Sequence, residues 1–179
     1  MRDYTRRTLE QVKHAAFGQV ISQKALAKAR RGSICVKTLF ALSAFGQNLI
    51  VPSLIREDDN IKRLEELSID IVVIHNDLVS FAKERDEGVE YNPIINLQNM
   101  GVKFQNARDR LMDQAQNLIE KLFFEDNKMI SQSPERQGHA SLLSKHPEVR
   151  EYVELLRLIP RVNLHWIFVC KRFRLSDRS

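Results

Sequence analysis

The stretch Asn76-Asp77-Leu78-Val79-Ser80-Phe81-Ala82-Lys83-Glu84 sets an amide oxygen, a hydroxyl and a carboxylate at i, i+4 and i+8. On an α-helix three such positions drift by about 80° around the axis while climbing roughly 12 Å, so they share one face. Mixed oxygen ligands along one face suit a hard divalent cation such as Mg²⁺, which keeps some waters and completes its shell from a substrate phosphate. Metals that prefer thiolate or imidazole are poorly served by this set. The bland alternative is a polar helical face carrying a serine and an ion pair.

Working outward, Leu64, Leu67, Ile71 and Ile74 recur at three- and four-residue intervals, an apolar helical stripe that leads directly into the motif. Glu57-Asp58-Asp59-Asn60 follows Pro52 and opens this helix, where carboxylates cap free N–H groups and complement the helix dipole rather than hold a metal. His75 reads as a polar partner or core histidine rather than a ligand. Gly88 and Pro93 mark a loop after the helix, and Pro93 biases Asn92 away from helical geometry. The same reading predicts helices at about 8 to 29, 34 to 49, 58 to 86, 93 to 100, 102 to 125, 147 to 157 and 159 to 174. It leaves an irregular connection from about 126 to 146. Asp113, Gln114, Gln116 and Asn117 form a solvated face. With no internal repeat and no sustained strand alternation, the class is all-α.

The 179 residues suit one domain, and 43% hydrophobic content is enough for a substantial core. Cys35 and Cys170 are far apart and form no C-x-x-C pattern, so neither a zinc site nor a disulfide framework is expected, and both read as small core residues in a reducing compartment. The net charge of +5 comes from local clusters at Arg6-Arg7, Lys28-Ala29-Arg30-Arg31 and Lys171-Arg172-Phe173-Arg174. Such clusters serve nucleic acid, lipid or a phosphorylated small molecule. They lack aromatic interleaving and any recognisable binding motif, which disfavours nucleic acid. The N-terminus has no signal-peptide core and no stretch nears the roughly 18 apolar residues of a membrane span, so the expectation is a cytoplasmic protein.

The motif resembles the NSE triad of class I terpene cyclases, particularly fungal sesquiterpene synthases. That resemblance implies that Asn76, Ser80 and Glu84 hold one Mg²⁺ and that Lys83 faces the diphosphate. Ala29-Arg30-Arg31-Gly32-Ser33-Ile34-Cys35-Val36-Lys37 looks like the family's segment around its diphosphate-sensing arginine, with Arg30 at that position and Arg31 as a possible substitute. The family usually has glycine where Cys35 stands, which permits a helix break next to the reacting carbons, so its loss bears on the shape of that part of the pocket. Asn163-Leu164-His165-Trp166-Ile167-Phe168-Val169-Cys170-Lys171-Arg172-Phe173 is similar to the family's terminal helix. Arg172 would then donate to the diphosphate, and Phe173 replaces the usual tyrosine. Phe40, Phe81 and Trp166 are candidate pocket walls, each with a core role as the alternative.

The resemblance spans about residues 24 to 175 and implies one partial domain over 1–179, the C-terminal part of the class I terpenoid synthase helical bundle. It implies Mg²⁺-dependent ionisation and cyclisation of a prenyl diphosphate, farnesyl diphosphate foremost, to a sesquiterpene with release of diphosphate. The family's Asp-rich motif has no counterpart here: Asp58-Asp59 lies in the wrong place and Lys62 stands where an acid is wanted. The expectation is therefore a chain inactive alone, with a large apolar surface that calls for a missing N-terminal half or a partner chain. A non-catalytic interaction module or pseudoenzyme derived from a cyclase is the alternative.

Overall fold

The computed structural model describes residues 22–131 and 147–170. Seven helices are present there: α1 (Gln23–Ser33), α2 (Val36–Gly46), α3 (Ser53–Glu57), α4 (Asp59–Asp86), α5 (Pro93–Asn99), α6 (Phe104–Ser131) and α7 (Pro147–Val169). No strand occurs among the described residues. Long α4 is the axis of the arrangement and packs most extensively against α6 and α7.

α4 starts where the acidic run predicts. The Asp58 carboxylate accepts from the backbone N–H groups of Asn60 and Ile61 at 2.9 and 3.2 Å, satisfying two donors that the first turn leaves free. Leu64, Leu67, Ile71 and Ile74 are all buried, but so are Ile61, Ile69, Val72 and Val73 between them. A helix apolar on nearly every side belongs in the centre of a bundle. The first half of α4 joins one cluster with Phe40, Ile55, Tyr152 and Leu156 from α2, α3 and α7. Its second half joins another, in which Ile74 and Phe81 meet Ile94 and Leu97 of α5 and Ala107, Leu111 and Ala115 of α6.

The structure corrects several sequence-based boundaries. α6 continues through Ser131, so the irregular connection expected from 126 cannot begin there. The two helices expected at 147–157 and 159–174 are one helix as far as Val169, running through Pro160. An interior proline removes one ladder hydrogen bond and crowds the preceding turn. Here Pro160 is buried, Tyr152, Leu156 and Ile159 before it pack in the core shared with α4, and Ile167 after it is buried as well, so both stretches are held along one helix. α2 ends at Gly46, before a turn in which Asn48 takes a left-handed conformation and Leu49 N–H donates to Ala44 O at 2.8 Å. Short α3 was not expected. α1 runs on to Ser33, while the part of its expected range before residue 22 lies outside the described residues.

Neither cysteine is a core residue: Cys35 is exposed and Cys170 half-buried. Cys35 sits between α1 and α2 with φ 61° and ψ 12°, the left-handed conformation in which a glycine is unstrained. The helix break is therefore kept without the glycine.

Apolar side chains also remain uncovered. Leu39, Leu42 and Phe45 are exposed along α2, as are Leu158, Val162, Trp166 and Val169 along α7. Both sets follow helical spacing, and α2 and α7 pack against one another. Phe40 and Phe81 are core residues, the latter stacked on Phe104 with ring centroids 4.8 Å apart.

Candidate functional site

The second half of α4 carries the motif, and α1 supplies the cation that faces it. Ser22 caps α1, its hydroxyl accepting from Ala25 N–H at 3.3 Å. Eight residues on, Arg30 reaches α4. Its Nη2 donates to Asn76 Oδ1 at 3.0 Å and to Asp77 Oδ1, and its Nε donates to Asp77 Oδ2 at 3.3 Å. The guanidinium is mostly buried and the Asp77 carboxylate wholly so. Burial pushes Asp77 up to about 7, opposed by the adjacent Arg30 charge and reinforced by the Glu84 carboxylate. A planar fork held on two sides is oriented in a way that a lysine's ammonium would not be.

Arg31 is turned elsewhere. Its Nε and Nη2 both donate to the Asp70 carboxylate at 2.5 Å, and Glu66 lies 3.6 Å from Nη1. The Asp70 hydrogen bond raises its pKa further. Arg31 therefore ties α1 to α4 and leaves the triad face to Arg30.

Glu84 is held by a residue that the motif does not contain. Asn92 Nδ2 donates to Glu84 Oε2 at 3.0 Å and to the Asp77 backbone carbonyl at 2.7 Å, while its Oδ1 caps α5 by accepting from Ile94 N–H at 2.9 Å. Lys83 Nζ lies 3.7 Å from the Glu87 carboxylate, one turn further on. Arg172 and Phe173 lie outside the described residues. Trp166 is 48% exposed, so the core role weighed for it is excluded. His75 is half-buried; burial lowers its pKa, and a hydrogen bond that the imidazole donates to the Pro160 backbone carbonyl opposes the shift.

Ser80 Oγ is buried and has no hydrogen-bond partner. A buried hydroxyl left unsatisfied costs about 1–3 kcal/mol, so such an atom calls for an explanation. It lies between Asn76 and Glu84 on one helical face, and the three oxygens together match the donor set of a hard divalent cation. Among the described residues no group of three or more His, Cys, Asp or Glu side chains is placed to hold a metal. Any metal at this face has to be met by mixed oxygen ligands of the kind that Asn76, Ser80 and Glu84 provide.

Sequence reasoning missed Asp77 and Asn92 as parts of this site. Asp77 stands inside the motif, and its signal was a carboxylate next to Asn76 with the basic Arg30-Arg31 pair on a preceding helix. Asn92 showed itself as a residue before proline and as the end of Glu87-Gly88-Val89-Glu90-Tyr91-Asn92, which loosely resembles the family's loop after the motif, with no role of its own.

No helix among the described residues is long and apolar enough to cross a membrane. In overall shape the chain is similar to the crystal structure of a-eudesmol synthase, with a TM-score of 0.76 at 20% identity, covering 93% of this chain and 52% of that one. In sequence it is similar to the silphinene synthase peniA of Penicillium patulum, 29% identical over 144 residues, which is 80% of this chain and 36% of that protein. It is also similar to the Delta(6)-protoilludene synthase of Hypholoma sublateritium, 32% identical over 148 residues, 80% of this chain and 41% of that protein. The chain thus spans less than half the length of these two relatives. Residues 1–121 match the family model described as terpene synthase family 2, C-terminal metal binding. Carrying the buried arginine and the oxygen-lined helical face of α4, the chain belongs to the terpene synthase family.

Proposed function

We propose that this chain supplies one Mg²⁺ site and the diphosphate-recognising cations of a sesquiterpene-forming terpene synthase acting on farnesyl diphosphate. Asn76, Ser80 and Glu84 would hold the metal, and Arg30, Lys83 and Arg172 would face the diphosphate. The observation that carries this reading is the placing of the Arg30 guanidinium against Asn76 and Asp77 at the head of an oxygen-lined helical face.

A bound divalent cation would supply Lewis-acid stabilisation of the negative charge that gathers on a departing diphosphate. Arg30 serves the same end from the protein side. Its orientation is fixed by Asp77 before substrate arrives, so little reorganisation is needed as charge develops. Its hydrogen bond to Asn76 also couples the position of the cation to that of the first triad residue. The uncovered apolar stripes of α2 and α7 support the reading that another helical segment completes the pocket and supplies the acidic counterpart of the triad.

Two experiments test this. Titration of the chain with Mn²⁺, an oxygen-preferring stand-in that is visible by electron paramagnetic resonance, should show binding strengthened by inorganic diphosphate. Incubation with farnesyl diphosphate and Mg²⁺ should give little or no cyclic hydrocarbon from the chain alone. Robust hydrocarbon formation would contradict the need for a completing segment, and absence of Mn²⁺ binding would contradict the triad.

A further inference from the structure

We propose that Asn92 is a positioning residue for the metal site, holding the Glu84 carboxylate ready for the cation; this rests on the reading of Asn76, Ser80 and Glu84 as ligands. Asn92 is fully buried and uses both ends of its amide. Oδ1 caps α5, while Nδ2 spans from the Asp77 carbonyl to Glu84 Oε2. Only the first of these jobs belongs to a helix cap. Serine, threonine or aspartate would accept from Ile94 N–H about as well. The donor half of the amide is what those residues lack, and aspartate would set a second carboxylate against Glu84.

The ion pairs around Glu84 point the same way. Its two basic neighbours in sequence are both directed to other acids, Lys83 towards Glu87 at 3.7 Å and Arg85 onto Asp86 at 2.9 Å. The hydrogen bond that Glu84 receives comes from a neutral amide. The carboxylate is thus oriented by a neutral donor rather than by a paired side-chain cation, which leaves it open to a metal. A free glutamate side chain surrenders rotamer entropy when it is fixed. Holding Oε2 removes part of that cost in advance while leaving Oε1 for the metal. Partners of this kind set ligand orientation in metal sites generally, and their loss costs roughly 10–100-fold in affinity.

The chain reaches this contact by a built turn. Val89 N–H donates to Glu84 O at 2.8 Å and Gly88 takes φ 70°, which closes the end of α4. Pro93 then occupies the first turn of α5, where its missing N–H costs nothing.

The test is Mn²⁺ affinity, read by electron paramagnetic resonance with inorganic diphosphate present, for the whole chain and for Asn92→Ser. Serine keeps the cap oxygen and loses the amide donor. Binding is measured well below each variant's melting temperature, with helix content checked by circular dichroism. The expected result is a loss of about tenfold or more in Mn²⁺ affinity. In a Glu84→Gln background the same substitution should cause no further loss, because Asn92 acts through that carboxylate. If Asn92→Ser does not fold, Asn92→Thr makes the same comparison with a side chain closer in volume. Unchanged affinity in a folded variant, or an equal loss with and without the Glu84 carboxylate, overturns the proposal. A parent chain that binds no Mn²⁺ overturns the triad reading itself, and this inference with it.

Discussion

Two serines on α4 lie twelve residues apart, and both bury a hydroxyl that has no hydrogen-bond partner. Ser68 sits in the first half of the helix, where its neighbours along the helix at Leu64, Leu67, Ile71 and Val72 are all buried apolar residues. Ser80 sits in the second half, where buried Asp77, Arg30, Glu84 and Asn92 form a connected polar network. An orphaned hydroxyl among apolar side chains is only a cost. Under the proposed function, the same orphan between an amide and a carboxylate on one face becomes an open coordination position. One helix thus carries core packing in its first 16 residues and, in the proposed reading, ligand chemistry from Asn76 onward, and an unsatisfied atom acquires meaning from its neighbours.

The largest effect expected from breaking this contrast is in the core half. Leu64→Ala removes a side chain with no exposed surface and should cost about 2–5 kcal/mol by chemical denaturation, while Mn²⁺ affinity stays unchanged wherever the variant remains folded. A smaller stability loss, about 1–3 kcal/mol, is expected for Arg30→Ala. That substitution strands Asp77, but a carboxyl already raised to about 7 escapes the penalty by taking a proton. Its functional effect should be the greater one, with the gain in Mn²⁺ binding on adding diphosphate disappearing in calorimetry.

Cys35→Gly sharpens the contrast from outside α4. It should stabilise the chain by about 0.5–1 kcal/mol, the relief of a left-handed side chain less the entropy of a glycine. Metal affinity should not change, since Cys35 makes no contact with the triad among the described hydrogen bonds.

The smallest effect concerns pH. The His75 pKa is lowered in the folded chain, so below about 6.5 the unfolded state binds more protons and this histidine contributes a stability loss as pH falls. Melting curves of the parent and His75→Asn across pH 5 to 8 should converge as pH falls through that range, with the parent gaining relative stability above it.

Much of α4 was legible because three signals agree: an acidic cap, helical apolar spacing, and a Gly-containing stop. α6 was cut short because its polar run after Phe124 looks like a loop by composition, yet it contains no glycine or proline to end the helix. α7 was divided because Pro160 is a strong local signal, and tertiary packing on both sides of it outweighs the signal. The triad could be proposed from sequence because i, i+4, i+8 is a property of one helix, and α4 does run through all three positions. Asp77 and Asn92 could not, because their roles depend on which polar groups a neighbouring helix and turn bring into contact, and one sequence does not encode that as spacing. Arg31 shows the same limit: it lies one residue from Arg30 but faces Asp70, about two turns before the triad.

The central claim, that the second half of α4 is a metal face, is tested most directly by comparing Ser80→Ala with Ser68→Ala. Both substitutions remove an orphaned hydroxyl and place a better helix former, so each should raise stability by about 0.5 kcal/mol. Only Ser80→Ala should weaken Mn²⁺ binding in the presence of diphosphate, by about tenfold or more on the scale of lost metal-site contacts. Equal Mn²⁺ affinities for the two variants and the parent would contradict the account.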